Sequence, residues 1–108
     1  MNVLIIENSE TLSQIMSKTL DSYGYKVTLD NENFSSKIFV IDNIFSFLII
    51  NTKLEDGKTE EILDFVLEKS PDTKILGVCN SDTWIEKVSF LNKGGDDVLS
   101  ILFLCRNF

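Results

Sequence analysis

At 108 residues the chain has room for one domain around a single hydrophobic core. Its 44% hydrophobic and 25% charged content is ordinary for a globular domain, while a net charge of −7 and a pI near 4.4 argue against these residues gripping a phosphate backbone. Histidine is absent and the two cysteines, Cys79 and Cys105, have no metal-binding spacing, which excludes a structural zinc site; without an export signal the expected setting is a reducing cytoplasm with two free thiols.

The chain opens on Val3-Leu4-Ile5-Ile6, an apolar run that lacks a basic lead and is far too short to span a membrane. It reads as a strand buried on both faces, ending at Glu7-Asn8-Ser9, where Asn8 or Ser9 can cap a helix. Leu12, Ile15, Met16, Thr19 and Leu20 recur at helical spacing and give that helix one apolar face, and Gly24 ends it as a left-handed cap. Lys26-Val27-Thr28-Leu29 predicts a short second strand, and Asp30-Asn31-Glu32-Asn33 a turn. Over 34–45, Phe34, Ile38, Ile41 and Phe45 keep helical spacing although Ile38-Phe39-Val40-Ile41 is rich in strand formers; position in the order favours a helix.

Phe47-Leu48-Ile49-Ile50 has the pattern of a central parallel strand, and its carboxyl end carries Asn51. Such an end faces the crevice where α/β sheets place their chemistry. Asp56-Gly57 predicts a turn, and Ile62, Leu63, Phe65, Val66 and Leu67 mark a helix stopped by Ser70-Pro71. Lys74-Ile75-Leu76-Gly77-Val78-Cys79 predicts a fourth strand. Asn80-Ser81-Asp82 then caps a helix that runs to Asn92 with Trp84, Ile85, Val88 and Leu91 inward. Gly94-Gly95 ends it, and Val98-Leu99-Ser100-Ile101-Leu102 is a fifth strand. The alternation predicts an α/β fold, a doubly wound five-stranded parallel sheet. A fifth crossover helix would begin around Phe103-Leu104-Cys105-Arg106-Asn107-Phe108, and the sequence predicts it missing or truncated, with Phe103, Leu104 and Phe108 covering the core beside the first helix.

In this order and spacing the chain resembles the receiver domain of bacterial two-component response regulators, a flavodoxin-like fold, over nearly its whole length. Val3-Leu4-Ile5-Ile6-Glu7-Asn8 resembles the first strand and its acidic pair, and Tyr23-Gly24-Tyr25-Lys26-Val27 the "GY-V" lead into the second strand. Ser70-Pro71-Asp72-Thr73-Lys74-Ile75 resembles the approach to the fourth strand. Lys93-Gly94-Gly95-Asp96-Asp97-Val98-Leu99 is close to the "AGADDYL" segment frequent in the OmpR-type, winged-helix branch.

The resemblance implies a chemistry with five parts. An aspartate after the third strand is the phosphoryl nucleophile, an acidic pair helps it hold magnesium, and a lysine and a hydroxyl hold the phosphoryl oxygens. This chain departs from that set almost everywhere. Asn51 stands at the phospho-acceptor position, and a neutral amide is no nucleophile for phosphoryl transfer. Glu7 keeps one acid of the pair and Asn8 replaces the other; Cys79 stands in place of the hydroxyl, Ile101 in place of the lysine, Leu102 in place of the proline after it, and Val98 in place of the aromatic switch residue. The loop after Asn51 also reaches Asp56-Gly57 sooner than the family's usual spacing. With two neutral amides beside Glu7, magnesium is expected to bind weakly or not at all, and no other cofactor is implied.

The expected function is therefore an atypical, phosphorylation-independent receiver domain over 1–108. It would be a regulatory and dimerisation module of a transcriptional regulator, touching DNA only through an effector domain that these residues do not include. Partners implied are a second copy, a sensor kinase or another protein, with no membrane. Asn51 reads either as an uncharged mimic fixing one signalling state or as a residue left in a retired pocket; an amide's likeness to unphosphorylated aspartate favours the second. Cys79 and Cys105 read as a redox switch or, as free cysteines more often are, as small buried hydrophobes. Lys87, Asp96 and Asp97 read as charges on a dimer face or as a helix-end cap with solvated surface. Competing functions are a standalone docking module, a receiver phosphorylated elsewhere and a small flavodoxin-like enzyme. Against the enzyme, Asn8-Ser9-Glu10-Thr11 has no glycine to bring backbone amides close to a phosphate.

Overall fold

A computed structural model describes residues 1–30, 45–79 and 84–100. Five strands, β1 (Asn2–Ile6), β2 (Lys26–Asp30), β3 (Phe47–Asn51), β4 (Lys74–Cys79) and β5 (Asp97–Ser100), form one parallel sheet in the order β2-β1-β3-β4-β5. The register pairs Ile6 with Asp30 and with Ile50, and Asn51 with Val78, so the carboxyl ends of the three inner strands come level. This is the flavodoxin-like order, and its direction reverses between β1 and β3. The crevice outside those two carboxyl ends is where such sheets bind or react.

The inner strands are apolar on both sides because helices cover both sides. Val3, Ile5, Ile49 and Val78 point to the face of α1 (Glu10–Ser22), where Leu12, Met16 and Leu20 pack on them. Leu4, Ile6, Leu48, Ile50 and Ile75 point to the opposite face and meet Ile62, Leu63 and Val66 of α2 (Lys58–Lys69) and Phe90 of α3 (Trp84–Asn92). A two-residue period in the strands thus sorts one apolar run into two cores.

Local chemistry sets the element ends. Ser9 caps α1, its hydroxyl accepting from Leu12 N–H at 3.2 Å, and Gly24 leaves that helix at φ 89°, the left-handed position that favours glycine. Asp56 and Gly57 take consecutive left-handed conformations (φ 58° and 69°), turning the chain after β3 into α2.

Four expectations need correction. On α1, Ile15 is 54% exposed and Thr19 lies in solvent, where its hydroxyl bonds back to Ile15 C=O at 2.8 Å; the packed stripe is narrower than the periodicity suggested. Asp30 belongs to β2, buried, and not to a turn. Leu67, assigned to the α2 core face, is 41% exposed. On α3, Trp84, Ile85, Val88 and Leu91 are 70%, 64%, 43% and 44% exposed, and the residue turned inward is Phe90 at 3%. The cause is the seat beneath the helix: a Cβ built on Gly77 of β4 would lie 2.7 Å from Phe90 Cε2, so the strand has made room for one ring there. Of the helix expected over 34–45, only Phe45 is described, buried and outside any helix or strand; residues 34–44, the cap at Asn80-Ser81-Asp82, and Ile101, Leu102 and the segment after them, including Cys105, lie outside the described residues.

Candidate functional site

Two side chains at the switch point make one closed contact. Glu7 follows β1 directly and is 2% exposed; Asn51 is the last residue of β3 and is 5% exposed. The Asn51 Nδ2 amino group donates to both Glu7 carboxylate oxygens, at 3.0 Å to Oε1 and 3.1 Å to Oε2. Ser9 N–H donates to Oε1 at 3.1 Å as well. On the other side of the amide, Oδ1 accepts from Lys53 N–H at 2.8 Å. A backbone N–H can only donate, so this bond fixes the amide's orientation and turns its amino group toward Glu7. An aspartate here would set oxygen against oxygen; the amide is the complementary partner for a lone buried carboxylate.

The loop beyond Asn51 is drawn tight by Thr59, which is 1% exposed in the first turn of α2. Its hydroxyl donates to Asn51 C=O at 3.0 Å and accepts from Leu54 N–H at 2.9 Å. Replacing it by the isosteric valine leaves both backbone groups without that partner. Thr59→Val is therefore expected to lose about 1–2 kcal/mol in urea denaturation, whereas a merely space-filling threonine would tolerate the change.

Cys79 ends β4 fully buried, and its thiol donates to Glu86 Oε2 of α3 at 3.0 Å. The other oxygen, Glu86 Oε1, pairs with Lys53 Nζ at 3.0 Å. The hydrogen bond to Glu86, and then the carboxylate's charge, push the Lys53 ammonium above its ordinary range. One carboxylate thus joins the loop after β3, the end of β4 and α3. Neither Glu86 nor Lys53 was singled out in the sequence, since nothing in spacing alone places residues 53, 79 and 86 together.

The remaining expected positions are less concentrated. Asn8 is exposed. Val98 is half-buried against the α2/α3 core, and Ile101 lies outside the described residues. Asp96 serves the fold directly: its carboxylate accepts from Ile75 N–H at 2.7 Å while its own N–H donates to Ile75 C=O at 2.8 Å, closing the start of β4. Asp97 accepts from Val98 N–H at 2.8 Å and is exposed, and Lys87 is half-buried.

The donor set does not fit magnesium. A hard divalent cation wants several unengaged oxygens; here both Glu7 carboxylate oxygens accept from the Asn51 amino group, and Asn51 Oδ1 accepts from Lys53 N–H. No group of three or more potential ligands forms a metal site among the described residues. No described helix is long and apolar enough to cross a membrane.

No family model and no curated protein matches the chain. Solved structures do, among them response regulator receiver (CheY-like) domains. A response regulator from Burkholderia pseudomallei, solved with a phosphorylated aspartic acid, calcium ion and citrate, is similar with TM-score 0.81 and 19% identity over 92% of this chain and 58% of its own. The chain therefore spans little more than half of that protein. Chemotaxis protein CheY4 from Vibrio cholerae is similar with TM-score 0.81 and 19% identity, covering 98% of this chain and 96% of its own. The beryllofluoride-activated NtrC4 receiver domain dimer gives TM-score 0.82 and 20% identity over 92% and 82%. The fold is that of a receiver domain; at these identities the likeness extends to the fold alone.

Proposed function

We propose that the chain is an atypical receiver domain whose regulatory role does not run through phosphorylation, acting as a signalling and dimerisation module of a response regulator. The observation that carries this reading is the Asn51–Glu7 contact, an amide bonded to both oxygens of a buried carboxylate at the switch point. An amide nitrogen engaged in that way offers no nucleophile, and the carboxylate beside it offers no open ligand. The Glu86 bridge supports the same reading. It ties Lys53 and Cys79 together where a receiver would need a free hydroxyl to follow a phosphoryl group. In a longer native chain the module would act on a DNA-binding effector domain of the OmpR type, with a sensor kinase or another protein as a further partner. No catalysis is assigned to it.

The test is intact mass together with light scattering, on protein incubated with a small-molecule phosphodonor and magnesium. An unchanged mass, and the same molar mass with and without the donor, is expected. Phosphoryl uptake, or assembly that appears only with the donor, would overturn the reading.

A further inference from the structure

We propose that the cleft at the amino ends of β1, β3 and β4 binds a small organic monoanion, a carboxylate carried on an aromatic body. The inference goes beyond the proposed function and does not rest on it. The cleft has a volume of about 510 Å³, within the range of small-molecule sites. Phe47 lines it and Asn51 ends the same strand, so it lies at the far end of β3 from the crevice.

The surface it presents is largely apolar. Phe45, Phe47 and Pro71 line it, with the 67% exposed Met1 beside them, and Ser46 adds a hydroxyl. The backbone beneath is already paired: Ser46 N–H donates to Asn2 C=O at 2.9 Å, and Lys74 N–H to Ser46 C=O at 3.0 Å. The Thr73 hydroxyl donates to Phe45 C=O at 2.8 Å, so in the 2.7 Å contact between Ser70 and Thr73 the donor is Ser70. Thr73 N–H also closes the turn onto Ser70 C=O at 3.1 Å. The wall made by Ser70, Pro71 and Asp72 is thus fixed before any ligand arrives, which lowers the ordering cost of binding.

What the cleft offers a polar group is cationic. Lys69, the last residue of α2, and Lys74, the first of β4, both line it and are both exposed. Among the described residues Lys74 forms no ion pair, and Lys69 forms only a loose one with its neighbour Glu68 at 3.8 Å. On a chain of net charge −7, two such ammonium groups beside two phenyl rings match an anion with an apolar, aromatic body. Asp72 lines the cleft as well, and the carboxyl end of α2 adds partial negative charge. Both lower the positive potential, which suits a ligand with one negative charge and disfavours a phosphate dianion.

The experiment is a proton–nitrogen NMR titration of the chain with hydrocinnamate, a phenyl ring carrying one carboxylate, and separately with its neutral amide. The same titrations are run on the double variant Lys69→Gln, Lys74→Gln, with circular dichroism confirming that it folds; both changes sit on exposed positions. The expected result is saturable shifts at residues 45–47 and 69–74, with the amide on the wild type and the carboxylate on the variant each binding about tenfold more weakly. Inorganic phosphate at equal concentration is expected not to displace hydrocinnamate. Shifts that never saturate, or that fall outside the cleft, would overturn the proposal. So would an amide that binds as well as the carboxylate, a variant that binds like the wild type, or displacement by phosphate.

Discussion

Asn51→Asp is expected to lose about 3 kcal/mol of folding stability at pH 8, and much less near pH 4. The substitution is nearly isosteric, so packing is not the cause. It replaces the amino group that now donates at 3.0 and 3.1 Å by an oxygen facing two others. Two carboxylates at that separation in a buried site cannot both stay ionised without a cation, and the pair retains a proton at a pKa above the ordinary carboxylate range. The sign follows from linkage. A carboxyl pair whose folded pKa is raised is fully stable only below the unfolded pKa near about 4, and its contribution is lost as pH rises through the folded value. Urea denaturation of the wild type and the variant at the two pH values measures it. Millimolar magnesium is expected to return part of the loss to the variant by bridging the two carboxylates, and to leave the wild type unchanged. Equal stability of the two proteins at pH 8 would mean that the Asn51 amide is not what holds Glu7.

That asymmetry explains which parts of the site could be read in advance. The strand runs Val3–Ile6 and Phe47–Ile50 are uninterrupted, and a parallel sheet has to place their carboxyl ends at one crevice. Topology alone therefore makes Glu7 and Asn51 neighbours. What the sequence could not supply was the direction of the amide, which depends on a backbone N–H two residues later, at Lys53. Glu86 was out of reach for a similar reason. Its meeting with Cys79 and Lys53 depends on how α3 is rotated over the sheet, and periodicity gave the wrong rotation.

The wrong rotation has a physical origin. Periodicity finds an apolar stripe but not what lies across from it, and on α3 the larger stripe, Trp84-Ile85-Val88-Leu91, faces solvent. A helix with apolar residues on two sides can be docked by either. The decisive information was in glycines elsewhere in the chain, at Gly77 and Gly95, whose missing side chains leave space for the Phe90 ring. Lys87, Asp96 and Asp97 show the complementary limit. Charge pattern alone did not separate Asp96, bonded twice to Ile75, from Asp97, which caps only its own neighbour.

Phe90→Ala is accordingly expected to be the most damaging change on α3, losing about 3–4 kcal/mol, while Trp84→Ala changes the stability of the monomer by less than about 0.5 kcal/mol. The larger residue matters less because burial, not size, decides the transfer term: Phe90 is 3% exposed and Trp84 70%. Removing the Phe90 ring leaves a void between Gly77, Gly95 and the α2 side chains, and neither glycine has a side chain that could relax into it. The helix would then be held to the sheet mainly through Glu86, a contact that includes the mostly exposed Lys53 and is weak alone. Hydrogen exchange should register this as loss of protection across Trp84–Asn92, with β1 and β3 changed far less, because α3 opens as a unit once its anchor is gone. Denaturation of both variants separates the buried anchor from the exposed stripe. Equal destabilisation by Trp84→Ala and Phe90→Ala would mean that α3 docks by its other face.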